Sequence, residues 1–247
     1  GVQAGARQVT FNGTDGPVND KTPDFVKALD LDHAADGEVM LAYGMNGEDL
    51  PFLNGFPLRL VVPGVQGVSW VKYLRRIEVG DMPYATKDEA VHYIDLMPGG
   101  LHRQYSSIQE CKSVVTTPSV EPGTAPKATI PINRFTIRSF ITNVPDGAKL
   151  KAGRTTLRGI AFDGGKGIKD VSVSTDGGKT WTSAKLGKDL GKYAFREWKL
   201  PVKLAAGEVA LKVRATGNGG ETQPDTPRWN PAGYLRNVVE TVRVTVA

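Results

Sequence analysis

A chain of 247 residues that is 40% hydrophobic can bury one or two cores, and its 29 Gly and 16 Pro favour a β-rich, loop-rich protein over a helical bundle. No apolar run reaches the roughly 20 residues of a membrane-spanning helix, and residues 1–30 lack the basic start and apolar core of an export signal. One cysteine, Cys111, excludes an internal disulfide, and a net charge of +5 is too small to mark the whole chain as a nucleic-acid binder.

Residues 1–5 read as the tail of a helix and turn, and residues 6–12 alternate as a short strand closed by Gly13. Residues 20–32 fit a compact helix, capped by Thr22 or Asp24 beside Pro23, with Phe25, Val26, Leu29 and Leu31 as its apolar side. A strand over 39–43 and a turn at Asn46-Gly47 follow. A loop carrying Pro51, Asn54, Gly55 and Pro57 leads into a β-rich run over 58–62. Pro63-Gly64 breaks that run, and a strand resumes over 69–74 with Trp70, Lys72 and Tyr73. Arg59 and Lys72 thus form a pair of cations on a stiff frame. A guanidinium fork with a neighbouring ammonium suits a phosphate or another oxyanion. On residue types alone, two solvated strand-end cations are the commoner case.

Further along, Thr86 and Glu89 resemble a capping box over a short turn that ends near Tyr93. His33, His92 and His102 are too far apart in sequence to make a metal-ligand motif, so no metal ligands are expected in this chain. No GxGxxG, Walker A, GxSxG or HExxH occurs. The Pro/Thr-rich stretch 113–131 marks a domain boundary, which divides the chain into 1–127 and 128–247. From Asn133 the pattern becomes short strands over 133–143, 155–162, 168–174, 181–185, 195–201, 208–216 and 238–246. Asp-Gly-Gly and Asn-Gly-Gly turns separate them. About seven strands in about 110 residues argue for an immunoglobulin-like β-sandwich. In the first of these strands Phe135, Ile137, Phe140 and Ile141 are the candidates for burial, and Trp181 covers a hairpin. Residues 221–234 form a long loop.

Charge is divided unevenly between the halves. Residues 1–133 carry 11 Lys and Arg against 16 Asp and Glu, whereas residues 134–247 carry 20 against 10. The lysines of the basic half are scattered through turns with no aromatic series beside them. That fits a solvated β-domain surface, with docking of an acidic redox partner as the second reading and no nucleic acid.

The text AYGMNGEDLPFLNGFPLRLVVPG…WVKYLRRIEV closely resembles the molybdenum-cofactor domain of the sulfite oxidase family, in which AYxMNGxxLP…GxPxRxxxPGxxGxxxVKxL is shared. The resemblance runs over nearly the whole chain. It implies a mainly β chain with some α: the C-terminal part of an α+β molybdopterin-binding domain over 1–127, then an immunoglobulin-like dimerisation domain over 128–247. It places Arg59 and Lys72 where the family holds the pterin phosphate, with Asn54 at a position that is often His in animal and plant members. It sets Tyr93 in the register of a tyrosine whose hydroxyl faces the molybdenum site, with His92 and Tyr105 as neighbouring alternatives. Animal and plant forms carry a substrate arginine just after WN, where this chain has Ala232. Arg228, or else Arg236, is left to supply that charge.

The family's molybdenum-ligating cysteine lies well upstream of this text, and Cys111 does not match its motif. The expectation is a chain that is part of a longer protein and inactive in isolation. The implied activity is oxidation of sulfite to sulfate with the molybdenum cofactor, electrons passing singly to a c-type cytochrome. No CxxCH occurs, so the haem belongs to a separate subunit or protein. The stretch HYIDLMPGGLHRQYSSIQE is also similar to sulfane dehydrogenases, which gives one alternative. A non-catalytic dimerisation or scaffold fragment is another, and a sandwich-type binding module fits the second half by architecture alone. A homodimer or heteromer in the periplasm, without a membrane span, completes what the resemblance implies.

Overall fold

A strand buried along most of its length needs backbone hydrogen-bond partners on both edges, and this requirement organises the first part of the chain. The computed structural model describes residues 1–16, 25–65, 67–81, 114–115, 129–130, 134–227 and 236–247. They fall into two compact units, one within residues 1–134 and one from residue 135 onward. Mostly strand, the described residues include no helix long and apolar enough to cross a membrane.

In the first unit β1 (Gln8–Gly13) is the central strand of an antiparallel sheet, between β2 (Val26–Asp30) and β7 (Leu74–Gly80). The helix expected over 20–32 is therefore corrected. Residues 26–30 are extended and pair with β1 from Gln8↔Asp30 to Asn12↔Val26, and only one helical turn, α1 (Leu31–Ala34), follows. Val26, Lys27, Ala28 and Leu29 are all buried, so apolar residues fall at spacings that mimic a helix face. The unpaired edge of β1 overrides that local pattern.

Within α1, His33 is buried and its Nε2 has no partner. Burial, aided by the Arg134 guanidinium, lowers its pKa from the ordinary 6.5. The fold thus favours the neutral ring. The associated stability is whole above about pH 6.5 and is lost as pH falls through the lower folded value. His33→Gln should flatten the acid-side decline in urea stability between about pH 7 and pH 5 relative to the parent.

Next come β3 (Met40–Ala42), β4 (Gly44–Met45), β5 (Glu48–Asp49) and β6 (Arg59–Val61). β4 and β5 make a hairpin around Asn46-Gly47, whose φ values of 55° and 85° are those of the favoured two-residue turn. β3 pairs with β6. The strand expected over 69–74 is also corrected: Gly67–Ser69 is a 3-10 turn, and β7 begins only at Leu74. Tyr73 has φ 50°, which interrupts the pleat. Two bonds still tie the segment to its neighbour, Leu60 N to Val71 O at 2.8 Å and Leu74 N to Leu58 O at 2.9 Å. Val9, Phe11, Leu29, Leu60, Val62, Val65, Val71 and Leu74 form the core beneath. Within the connecting stretch, β8 (Val114–Val115) pairs with β9 (Thr129–Ile130).

The second unit has two sheets. One runs β10 (Arg138–Ile141), β12 (Gly153–Phe162), β16 (Arg196–Leu204), β15 (Lys185–Leu186). The other runs β11 (Lys149–Leu150), β18 (Thr241–Val246), β17 (Gly207–Gly217), β13 (Ile168–Ser174), β14 (Thr182–Ser183). Leu157, Ala161, Trp198 and Leu204 from the first meet Val171, Val173, Leu211, Val213, Ala215 and Val244 from the second in one core. This is the expected β-sandwich.

Alternation holds with one correction. Ile137 and Ser139 are buried, whereas Phe140 and Ile141 are only half-buried. The pleat sends Phe140 to the opposite face, where its ring stacks on Phe162. Buried Ser139 is tolerated because its hydroxyl donates to the side-chain oxygen of Gln223, which also accepts from Ala215 N at 3.0 Å. The turn glycines work with side-chain acceptors: Asp163 Oδ1 takes the N–H groups of Gly165, Lys166 and Gly167. The Thr180 hydroxyl and N–H, with the Ser174 hydroxyl, hold the Asp176 carboxyl well below the usual carboxylate range. Trp181 covers that hairpin as expected, its indole N–H donating to Gly178 O at 3.0 Å.

Candidate oxyanion site

The 3-10 turn Phe52–Asn54 is closed by Gly55 at φ 108°, a conformation glycine adopts without a Cβ penalty. Its backbone carbonyls then point outward and collect both cations. Arg59 Nη1 donates to Asn54 O at 2.9 Å, and Lys72 Nζ donates to Leu53 O at 3.1 Å. Arg59 opens β6 and Lys72 precedes β7, so two strands of separate sheets deliver the charges to one turn. The stems lie so close that a Cβ on Gly55 would stand 3.0 Å from Lys72 Cβ and 3.1 Å from Arg59 Cβ.

Gly55→Ala should therefore both strain the turn and part the cations. A loss of about 1–3 kcal/mol is expected from the left-handed backbone and the crowding. Urea denaturation of the variant checks it, and an unchanged midpoint would show that the turn relaxes freely.

Arg59 also lies over Trp70, with its guanidinium carbon 5.7 Å from the ring centroid, and Lys72 Nζ is 5.4 Å from the Tyr73 ring centroid. Phe52 in turn packs on Tyr73 at 5.4 Å. Two buried donors here have no acceptor among the described residues, Arg59 Nε and Trp70 Nε1. An unpaired buried donor costs about 1–3 kcal/mol, so the arrangement is short of an acceptor. A phosphate oxygen carries the right charge to supply one, and the residues present thus fit an anionic group. Beside the turn a hollow of about 460 Å³ is lined by Phe52, Phe56, Pro57, Tyr73, Thr14 and Asp15. Arg59 and Lys72 are not among its lining residues.

Of the residues singled out from sequence, the fold brings Asn54, Arg59 and Lys72 together. Asn54 takes part through its backbone carbonyl, and its side chain is exposed. Tyr93 and Arg228 lie outside the described residues, as do His92, Tyr105, Cys111 and Ala232. Arg236, the alternative to Arg228, has Nε 3.8 Å from Glu240 Oε1, one turn's spacing along the chain. Trp70 and Gly55 were not assigned to the site from sequence. Gly55 left a signal, a glycine between an Asn and a Phe-Pro where a turn must close. Trp70 left none.

Comparison with known proteins places this geometry. Residues 1–87 match the oxidoreductase molybdopterin binding domain, and residues 129–247 match the Mo-co oxidoreductase dimerisation domain. Mitochondrial sulfite oxidase of Homo sapiens is 35% identical over 222 residues, covering 86% of this chain and 37% of that protein. NADH nitrate reductase of Solanum lycopersicum is 31% identical, covering 100% of this chain and 28% of that protein. Among solved structures, the sulfane dehydrogenase SoxCD from Paracoccus pantotrophus superposes with a TM-score of 0.71 at 26% identity, over 98% of this chain and 55% of that one. The chain thus spans well under half the length of the curated relatives it matches.

Proposed function

Because the chain belongs to the sulfite oxidase family of molybdopterin oxidoreductases, we propose that it serves the oxidation of sulfite to sulfate in the periplasm. The balance requires one water: sulfite gains its oxygen, two protons leave, and two electrons pass one at a time to a c-type cytochrome. The cofactor is the molybdenum cofactor, which when bound supplies the two-electron redox centre for this reaction. The observation that carries the reading is the pair Arg59 and Lys72 tethered to one turn beside an unpartnered Arg59 Nε.

Each residue then has a defined task. Arg59 and Lys72 hold the pterin phosphate, the first as a fork and the second as a point charge. Asn54 fixes the Arg59 fork through its carbonyl and offers its side-chain amide to the same phosphate. Tyr93 donates a hydrogen bond from its hydroxyl to a substrate oxyanion, and Arg228 adds positive charge where the product's charge gathers. The second domain pairs two copies of the chain.

The test is sulfite-dependent reduction of cytochrome c by the purified, molybdenum-loaded full-length protein that contains this chain. Tyr93→Phe should lower kcat/KM for sulfite by about 10- to 100-fold, the scale of losing one aimed donor. Equal turnover in the parent and the variant would remove Tyr93 from the reaction. The likeness to sulfane dehydrogenase supports a second reading, oxidation of a sulfane sulfur. Molybdenum-loaded protein that ignores sulfite yet oxidises a protein-bound persulfide would establish that reading. Loaded protein inert to both would leave the chain a scaffold.

A further inference from the structure

A strongly basic surface of the described residues lies outside the site described above, on the sandwich. In the sheet β10-β12-β16-β15, Arg158 stands directly opposite Lys199, and Lys199 directly opposite Lys185. All three are exposed, so one cross-strand row carries three cationic side chains on strands about 4.8 Å apart. Four residues along β12 on the same face, Arg154 stands opposite Lys203 and repeats the arrangement. Like charges directly opposite one another weaken a sheet, and cross-strand pairs usually combine opposite signs. Among the described residues no carboxylate forms an ion pair with any of these five cations.

The row is not flat. It borders a hollow of about 690 Å³ whose lining includes Arg158, Lys185, Lys188 and Lys199, with Ile160 and Leu186 as apolar wall. That volume is of small-ligand size. Glu197 is the only acid among the lining residues. Trp198, the neighbour of Lys199 along β16, turns its ring to the core on the other face of the sheet. The hollow therefore sets four cations, Arg158, Lys185, Lys188 and Lys199, against the single carboxylate of Glu197 among its lining residues.

We propose that this face binds a compact polyanion, a ligand carrying two or three phosphate or carboxylate groups within about 10 Å. The length of the row selects against a single small anion, which spans one interstrand spacing and leaves the third cation unmet. A second copy of the chain is also a poor occupant. A two-fold contact sets a patch against itself, and here that stacks cation on cation. The site stands independently of the sulfite reading, since none of its residues belongs to the cofactor anchor.

Titration of the purified protein with inorganic tripolyphosphate and, separately, with citrate tests it, by calorimetry at about 50 mM salt. Expected are saturable one-to-one binding that weakens with added salt and at least about tenfold weaker binding in Lys199→Gln and in Lys185→Gln. Lys169→Gln, which removes a charge from the other sheet, should stay within about twofold of the parent. Binding of only one of the two probes supports the site and fixes its class as oligophosphate or polycarboxylate. Three results overturn the proposal: no saturation with either probe, equal weakening in Lys169→Gln and Lys199→Gln, or acetate binding as tightly as the polyanions.

Discussion

Purified Arg59→Ala protein should contain a small fraction of the molybdenum found in the parent. The reason is geometric before it is electrostatic. Arg59 Nη1 is held by Asn54 O at 2.9 Å, the ring of Trp70 lies along the guanidinium, and Nε is buried with no acceptor among the described residues. A fork fixed in this way loses little rotational freedom on meeting a phosphate. Each charge-assisted hydrogen bond contributes about 1.5–3 kcal/mol, so losing two weakens retention of the cofactor by roughly 10²- to 10⁴-fold. Arg59→Lys keeps the charge without the fork and should fall between the two. The measurement is metal content per chain by mass spectrometry, with circular dichroism to show an intact fold. Molybdenum content equal to that of the parent would remove Arg59 as the anchor.

The second large effect is expected in the sandwich. Trp198→Ala should destabilise the second unit by about 3–5 kcal/mol, the usual cost of deleting a buried aromatic. Domains of this size are stable by about 5–15 kcal/mol in all, so the variant should unfold well before the rest of the protein. Trp198 is 2% exposed and stands opposite Gly159 across β12 and β16. Any Cβ on Gly159 would meet the indole at 2.4 Å and Phe140 O at 1.8 Å. Large and small side chains are thus matched across the sheet, and the indole fills space that the glycine leaves. Trp198→Phe retains most of the apolar volume and should cost much less. Differential scanning calorimetry separates the outcomes: the transition of the second unit moves down in Trp198→Ala while that of the first stays in place. A single unshifted transition would mean that the indole is not part of that core's stability.

Legibility differed along the chain for physical reasons. In the second unit the strands lie roughly where alternation put them, because each has one face toward the core and one toward water, and Gly-rich turns separate them. The exception, Phe140, is a bulky residue on the outer face beside a buried Ser139. The serine is acceptable inside only because Gln223, eighty-four residues away in sequence, accepts its proton. In the first unit β2 was read as a helix because burial on both faces erases the period of two. The segment around Lys72 was read as a strand because Trp70, Tyr73 and their neighbours have strand propensity, whereas Tyr73 adopts φ 50°.

The candidate site shows the same division. Arg59 and Lys72 could be named from the text, since a cation pair next to Gly-Phe-Pro and a Pro-Gly break is unusual and carries the family resemblance. That Gly55 separates their stems, that both reach carbonyls of one turn, and that Trp70 lies against the guanidinium could not. Those relations depend on where β6 and β7 arrive in space.

Residue order alone determined the family, the β-rich character, the turns at Asn46-Gly47 and the Asp-Gly-Gly motifs, and the identity of the two paired cations. Each of these rests on local chemistry: backbone freedom at glycine, pleat alternation, and the charge of a side chain. Tertiary structure alone decided that residues 26–30 are a strand, that an orphaned Arg59 Nε lies beside Lys72, and that Arg158, Lys199 and Lys185 form one row. Those outcomes follow from pairing and register between segments distant in sequence, where an unsatisfied edge or a shared face outweighs local preference.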